Sequence, residues 1–128
     1  MKKNSSLILF FYLFILSSCG GGGSPPFSLT LPMLSTISIN EDNPYTSTIS
    51  ATTNYKSQIT YEITYSTNNG ESNLTTSGLY TYEPNQDYFG ADSFTIKVTA
   101  QRLDDNNITT GETLIKNMTI AININPVN

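Results

Sequence analysis

From Leu34 to the end of the chain, apolar residues recur at every second position in several short runs, and nowhere do they hold a 3.6-residue period over three turns. Such a pattern suits strands that bury one face and leaves little room for helix. The clearest runs are 59–65, with Ile59, Tyr61, Ile63 and Tyr65 on one face; 93–98, with Phe94, Ile96 and Val98; and 118–124, with Met118, Ile120, Ile122 and Ile124. Shorter candidates at 36–39, 46–51, 72–75 and 79–83 bring the count to about seven strands, and the fold class predicted is all-β, a two-sheet sandwich. Asn68-Asn69-Gly70 predicts a hairpin, because Asn and Gly tolerate the positive φ of tight turns. Asp104-Asp105-Asn106-Asn107 predicts another turn, and Pro126 marks the end of the last strand.

The amino terminus follows different rules. Met1-Lys2-Lys3-Asn4 is a short basic start, and Leu7 to Leu16 is an apolar run of ten residues ahead of Ser17 and Ser18. This is the pattern of a secretory signal, 1–18. As a helix the run would span about 15 Å, half the hydrocarbon thickness of a bilayer, too short for a permanent transmembrane segment. Residues 19–33 form a stretch rich in Gly, Ser and Pro that suits a tether, leaving 34–128 as the domain.

Leu16-Ser17-Ser18-Cys19 resembles the lipobox of bacterial lipoproteins. The resemblance implies a diacylglyceryl thioether on Cys19, cleavage before it, and acylation of the new amine. Several acyl chains together hold a protein firmly to a membrane, so the membrane is an implied partner. Gly20 in place of Asp after the Cys implies, by the same resemblance, delivery to the outer membrane of a bacterial cell envelope.

The chain has 10 acidic and 6 basic residues; removing 1–18 takes Lys2 and Lys3, and 6 − 2 = 4 bases against 10 acids leave a side-chain net of −6. That balance disfavours nucleic acid and anionic lipid surfaces. With no His and Cys19 as the one Cys, His-dependent triads and the common zinc sites are excluded, and no intramolecular disulfide can form. A carboxylate pair could still hydrolyse glycosides, but no two acids stand out from loop charge, and no Ser-x-x-Lys occurs. The chain reads as a non-enzyme. The Asn-x-Thr patterns at Asn73, Asn107 and Asn117 are read as chance in a chain rich in Asn and Thr.

Gly78-Leu79-Tyr80-Thr81-Tyr82-Glu83-Pro84, followed by Asn85-Gln86-Asp87 and then Gly90-Ala91-Asp92-Ser93-Phe94, resembles the signature of cadherin-like, bacterial immunoglobulin-like repeats of surface adhesins. Asn40-Glu41-Asp42 and Ile122-Asn123-Ile124-Asn125-Pro126 agree with it in order and spacing. The resemblance implies an immunoglobulin/cadherin-like β-sandwich. On physical grounds its residues are structural: Tyr80 and Tyr82 share a face and bury their rings while a hydroxyl reaches the rim, and Pro84 ends a strand. Gly90 permits a corner conformation, Asp92 hydrogen-bonds the loop backbone, and Phe94 belongs to the next strand's inner face.

The resemblance also implies calcium at junctions between repeats, with Glu41 and Asp42 as the matching ligands. The second acidic element of the repeats is missing, since 50–55 carries no carboxylate, and a hard cation wants six to eight oxygens. Glu41 and Asp42 are therefore weak calcium candidates, no other cofactor is expected, and Asp104-Asp105 reads as a charged turn. Two roles are expected from the whole: adhesion or surface binding of a protein or carbohydrate ligand, or a structural spacer, a repeat from a longer tandem array.

Overall fold

The computed structural model describes residues 22–33 and 36–127. Those residues contain nine strands: β1 (Leu29–Thr30), β2 (Ile37–Asn40), β3 (Tyr45–Thr48), β4 (Thr52–Thr53), β5 (Ser57–Tyr65), β6 (Gly70–Leu74), β7 (Leu79–Pro84), β8 (Gly90–Leu103) and β9 (Thr109–Asn125). One sheet runs β2-β9-β8-β5, the other β3-β7-β6, and β1 pairs with β4. All pairs are antiparallel except β2 with β9, which lie parallel with Ile37 opposite Ile122 and Asn40 opposite Asn125.

Alternation places the core between the two sheets. Phe94, Ile96, Val98, Ala100, Ile120, Ile122 and Ile124 point inward from one, and Tyr80 and Tyr82 from the other; all are buried. The Tyr80 ring stacks on Phe94 with centroids 4.1 Å apart and planes 8° apart, and Tyr45 leans on Tyr80 at 6.5 Å and 56°. Each such side chain contributes about 1.5–3 kcal/mol by leaving water. The expected immunoglobulin-like sandwich is present. Its two strands beyond seven are the two-residue β1 and β4.

Four local expectations need correction. The run expected at 46–51 ends as a strand at Thr48, in β3, because Ile49 N–H donates to the Gly78 carbonyl and Ala51 N–H to the Tyr61 hydroxyl rather than to one continuous ladder. The stretch expected as tether contributes to the fold from Pro25 onward: Leu29 is 2% exposed, and Phe27 and Leu31 pack on the core. Polar contacts fasten it, with Tyr55 donating to the Pro25 carbonyl (2.7 Å), Asn54 Nδ2 to that of Pro26 (2.8 Å) and Lys116 Nζ to that of Leu29 (2.6 Å).

Asn68-Asn69-Gly70 is not a hairpin. β5 pairs with β8 and β6 with β7, so this segment carries the chain from one sheet to the other, and none of its three residues has positive φ. Gly70 is needed for space: a Cβ there would sit 2.4 Å from the Glu83 carbonyl oxygen and 2.6 Å from the Tyr82 ring. Tyr65, expected on the inner face with Ile59, Tyr61 and Ile63, is 73% exposed because the β5–β8 register shifts between Ile63 and Tyr65.

The sandwich has two poles. At the turn pole β8 passes into β9, where Asp104 Oδ1 accepts the N–H groups of Asn106 (2.9 Å) and Ile108 (2.8 Å), with Asn107 at φ 65°. This is the turn expected there. Pro25, Tyr55, Lys56 and Arg102 lie at the same pole, the Arg102 guanidinium 4.0 Å above the Tyr55 ring centroid and ion-paired with Glu112. At the opposite, corner pole stand Glu41 and Asp42, the 85–89 segment, and the end of β9 at Asn125 before Pro126.

Candidate functional site

The signature residues gather where β7 passes over to β8. Asp92 is 8% exposed, and its carboxylate accepts four hydrogen bonds: from the N–H groups of Asn68 (3.1 Å), Asn69 (2.9 Å) and Ser93 (2.8 Å), and from the Tyr82 hydroxyl (2.9 Å). A buried carboxylate is tolerated only when its lone pairs are occupied in this way. Through Asp92, the start of β8 holds the crossover between β5 and β6. The Asn69 carbonyl in turn accepts Asn85 N–H at 2.8 Å, so the crossover and the corner brace one another.

The two signature tyrosines differ. Tyr82 has Asp92 as its partner, and burial, then that hydrogen bond, push its phenol above the ordinary 10.0. Tyr80 is 1% exposed and its hydroxyl, expected at the rim, is enclosed with no hydrogen-bond partner among the described residues; desolvation pushes its phenol up as well. Pro84 is the last residue of β7. Gly90 has φ +134°, and a Cβ there would lie 3.1 Å from the Tyr88 hydroxyl, which donates to the Ala91 carbonyl (2.9 Å). Phe94 is buried in the stack already described.

Glu41 and Asp42 both face local backbone. Glu41 Oε1 accepts Val127 N–H at 2.6 Å and its own N–H donates to Asn125 O (2.8 Å), while Asp42 Oδ1 accepts Asp87 N–H at 3.2 Å. Asp42 and Asp87 hold positive φ of 60° and 57°. Among the described residues no group of three or more His, Cys, Asp or Glu is placed to hold a metal ion. Cys19, and the signal ahead of it, lie outside the described residues. No helix of the described residues is long and apolar enough to cross a membrane.

The site residues that sequence reasoning missed are the partners. Asn68 and Asn69 matter through their N–H groups, which any residue type could supply, and Tyr88 closes the corner through a hydroxyl that spacing does not announce.

With β1 at its start and the signature at its centre, the stretch from Leu29 to Lys116 is matched by the sequence model of the family described as Bacterial Ig domain, residues 29–116. The chain belongs to that family. No curated protein matches it. The Ig domain of this chain begins at β1, not at Leu34, in line with the burial of Leu29. It also runs beyond the matched residues, since Ile120, Ile122 and Ile124 supply core and β2 pairs with 122–125. A bacterial Ig domain of this kind fits a surface or extracellular repeat.

Proposed function

We propose that the chain is a lipid-anchored protein of the bacterial cell envelope that presents its Ig domain for adhesion or surface binding, without catalysis. The reading is carried by the path of the chain. The described amino-terminal segment docks at the turn pole through Pro25 and Pro26, and β9 leaves at the corner pole, with the length of β8 between them. Fourteen residues of strand span about 45 Å. A lipid on Cys19 would hold the turn pole toward the membrane and direct the corner pole outward, with Phe89 61% exposed beside the Asp42 and Asp87 turns. Gly20 supports the outer membrane as the destination.

The same path favours a second reading, a spacer in a longer array, because a module whose two ends lie at opposite poles adds its whole length to a stalk. The experiment that tests the anchor is Cys19→Ala in the full chain: it should leave the precursor unlipidated and move it out of the detergent phase, and unchanged partitioning sinks the lipoprotein reading. For binding against spacing, cells displaying the full chain are scored for adherence to cells of the same strain and to immobilised glycans. Loss with Phe89→Ala supports a binding corner pole; adherence equal to that of cells lacking the chain supports the spacer.

A further inference from the structure

β5 is an edge strand of unusual openness. It pairs with β8 alone, and the seven residues ahead of its register shift, Ser57 to Ile63, include no Pro or Lys, with Glu62 as their one charge. The other outer strands of the two sheets are shorter, β2 and β3 with four residues each and β6 with five, and the part of β9 that β2 leaves uncovered carries Gly111 at φ +89° and Lys116.

The direction of the exposed backbone groups follows from one bond. Lys56 O accepts Leu103 N–H at 2.8 Å in the same register that sets Ser57 opposite Arg102 and Tyr61 opposite Val98. Residues of an antiparallel ladder alternately face the partner and face away. Even-numbered residues of β5 therefore bond to β8, and Ser57, Ile59, Tyr61 and Ile63 turn their N–H and C=O groups to the open side. Among the described residues none of these groups has a hydrogen-bond partner.

We propose that this edge pairs with the β5 edge of a second copy of the chain, antiparallel, about a two-fold axis at Tyr61. The occupant is specified by the near-palindrome Ile59-Thr60-Tyr61-Glu62-Ile63. Antiparallel pairing about Tyr61 sets Ile59 opposite Ile63 of the other copy and Tyr61 opposite Tyr61, all on the inner faces, and makes about six backbone hydrogen bonds. On the outer face Thr60 meets Glu62, a hydroxyl donor against a carboxylate, with no like charges opposed. Glu62 is already ion-paired with Lys97, which limits repulsion between the two copies. The two four-stranded sheets then join into one of eight.

The pairing has a directional consequence, which rests on the lipid anchor proposed above. Tyr61 is five residues from the turn pole, as Val98 is from Leu103, so the axis separates the two turn poles by about 35 Å in opposite directions. The six residues from Cys19 to Pro25 reach at most about 22 Å. Two copies standing upright on one membrane cannot pair this way, and copies on facing membranes can.

The test uses full chains displayed on cells. A Thr60→Cys/Glu62→Cys variant places two pairs of thiols at non-hydrogen-bonded positions within disulfide reach of each other across the axis, and too far apart within one strand. A reducible covalent dimer is expected, and a Thr113→Cys/Ile115→Cys variant on β9 controls for random encounter. Absence of dimer, or equal dimer from the β9 variant, overturns the pairing. Thr60→Lys should tighten the wild-type dimer several-fold in detergent by sedimentation, facing Glu62, and Thr60→Glu should weaken it; shifts of the same sign overturn the register. Cells carrying Thr60→Cys alone are then mixed with cells carrying Glu62→Cys alone. Cross-linking between the populations supports pairing across facing membranes, and its absence alongside a double-cysteine dimer overturns that arrangement only. Failure of the anchor reads out separately, in the detergent partitioning of Cys19→Ala.

Discussion

The Tyr82 hydroxyl donates to Asp92 Oδ2 at 2.9 Å across the interior, linking β7, the middle strand of the three-stranded sheet, to the start of β8 in the other. The neighbouring phenol of Tyr80, equally buried and two residues away on the same strand, has no such partner among the described residues.

The two phenols should therefore answer to the same substitution with opposite signs. Tyr82→Phe removes a hydrogen bond to a buried carboxylate and should lower stability by about 2 kcal/mol. Tyr80→Phe removes a hydroxyl that is desolvated without compensation, and should leave stability unchanged or raise it by about 1 kcal/mol. Urea unfolding of the two variants decides it. Equal losses would mean that a buried water satisfies the Tyr80 hydroxyl.

Alkaline pH should expose the same burial. Both phenols have folded pKa values pushed above the ordinary 10.0, by desolvation first and, for Tyr82, by its bond to Asp92. The fold thus favours the protonated form, and this contribution is complete below about pH 10, then declines as pH rises from the unfolded toward the folded value. Denaturant midpoints measured from about pH 8 to 11.5 should hold level and then fall, with a shallower fall in Tyr80→Phe. A midpoint level throughout would contradict burial of both rings.

Leu29 gives a test of where the domain begins. Leu29→Ala should cost about 2–4 kcal/mol, as for other fully buried leucines. A tether residue would show nothing. Thermal unfolding of the variant separates the two, and a loss below about 0.5 kcal/mol would return residues 25–31 to the tether.

Calcium is expected to do little to this chain. The carboxylates of Glu41 and Asp42 accept backbone N–H groups, and among the described residues no third acidic side chain is placed with them to hold a metal, whereas calcium takes six to eight oxygens. The unfolding midpoint should be the same with calcium as with EDTA. A site saturated at 100 times its Kd would add about 2.7 kcal/mol and raise the midpoint by several degrees, and loss of that rise in Glu41→Gln/Asp42→Asn would assign the site to this pair.

The strands that carry the core were legible because each shows water one face: Phe94, Ile96 and Val98, or Ile120, Ile122 and Ile124, announce a period of two over enough residues to be read. β1 was illegible for the converse reason. Two residues have no period, and Leu29 sits among prolines and serines in a stretch whose composition resembles a linker. Asn68-Asn69-Gly70 misled because a turn dipeptide reports a change of direction and not which sheet the next strand joins. The loop-bonding role of Asp92 could be anticipated from its place after Gly90, whereas the identity of its donors, two of them main-chain N–H groups 24 and 23 residues away, could not.

The parallel pairing of β2 with β9 bears on how the chain responds to load. Tension applied between the amino-terminal segment and Val127 draws β2 toward the turn pole and β9 toward the corner pole, so the bonds from Ile37–Ile122 to Asn40–Asn125 are loaded together in shear rather than opened one by one like a zip. Rupture under pulling is then set by the rate of one concerted event, and the domain is built to stay closed when tugged along its length.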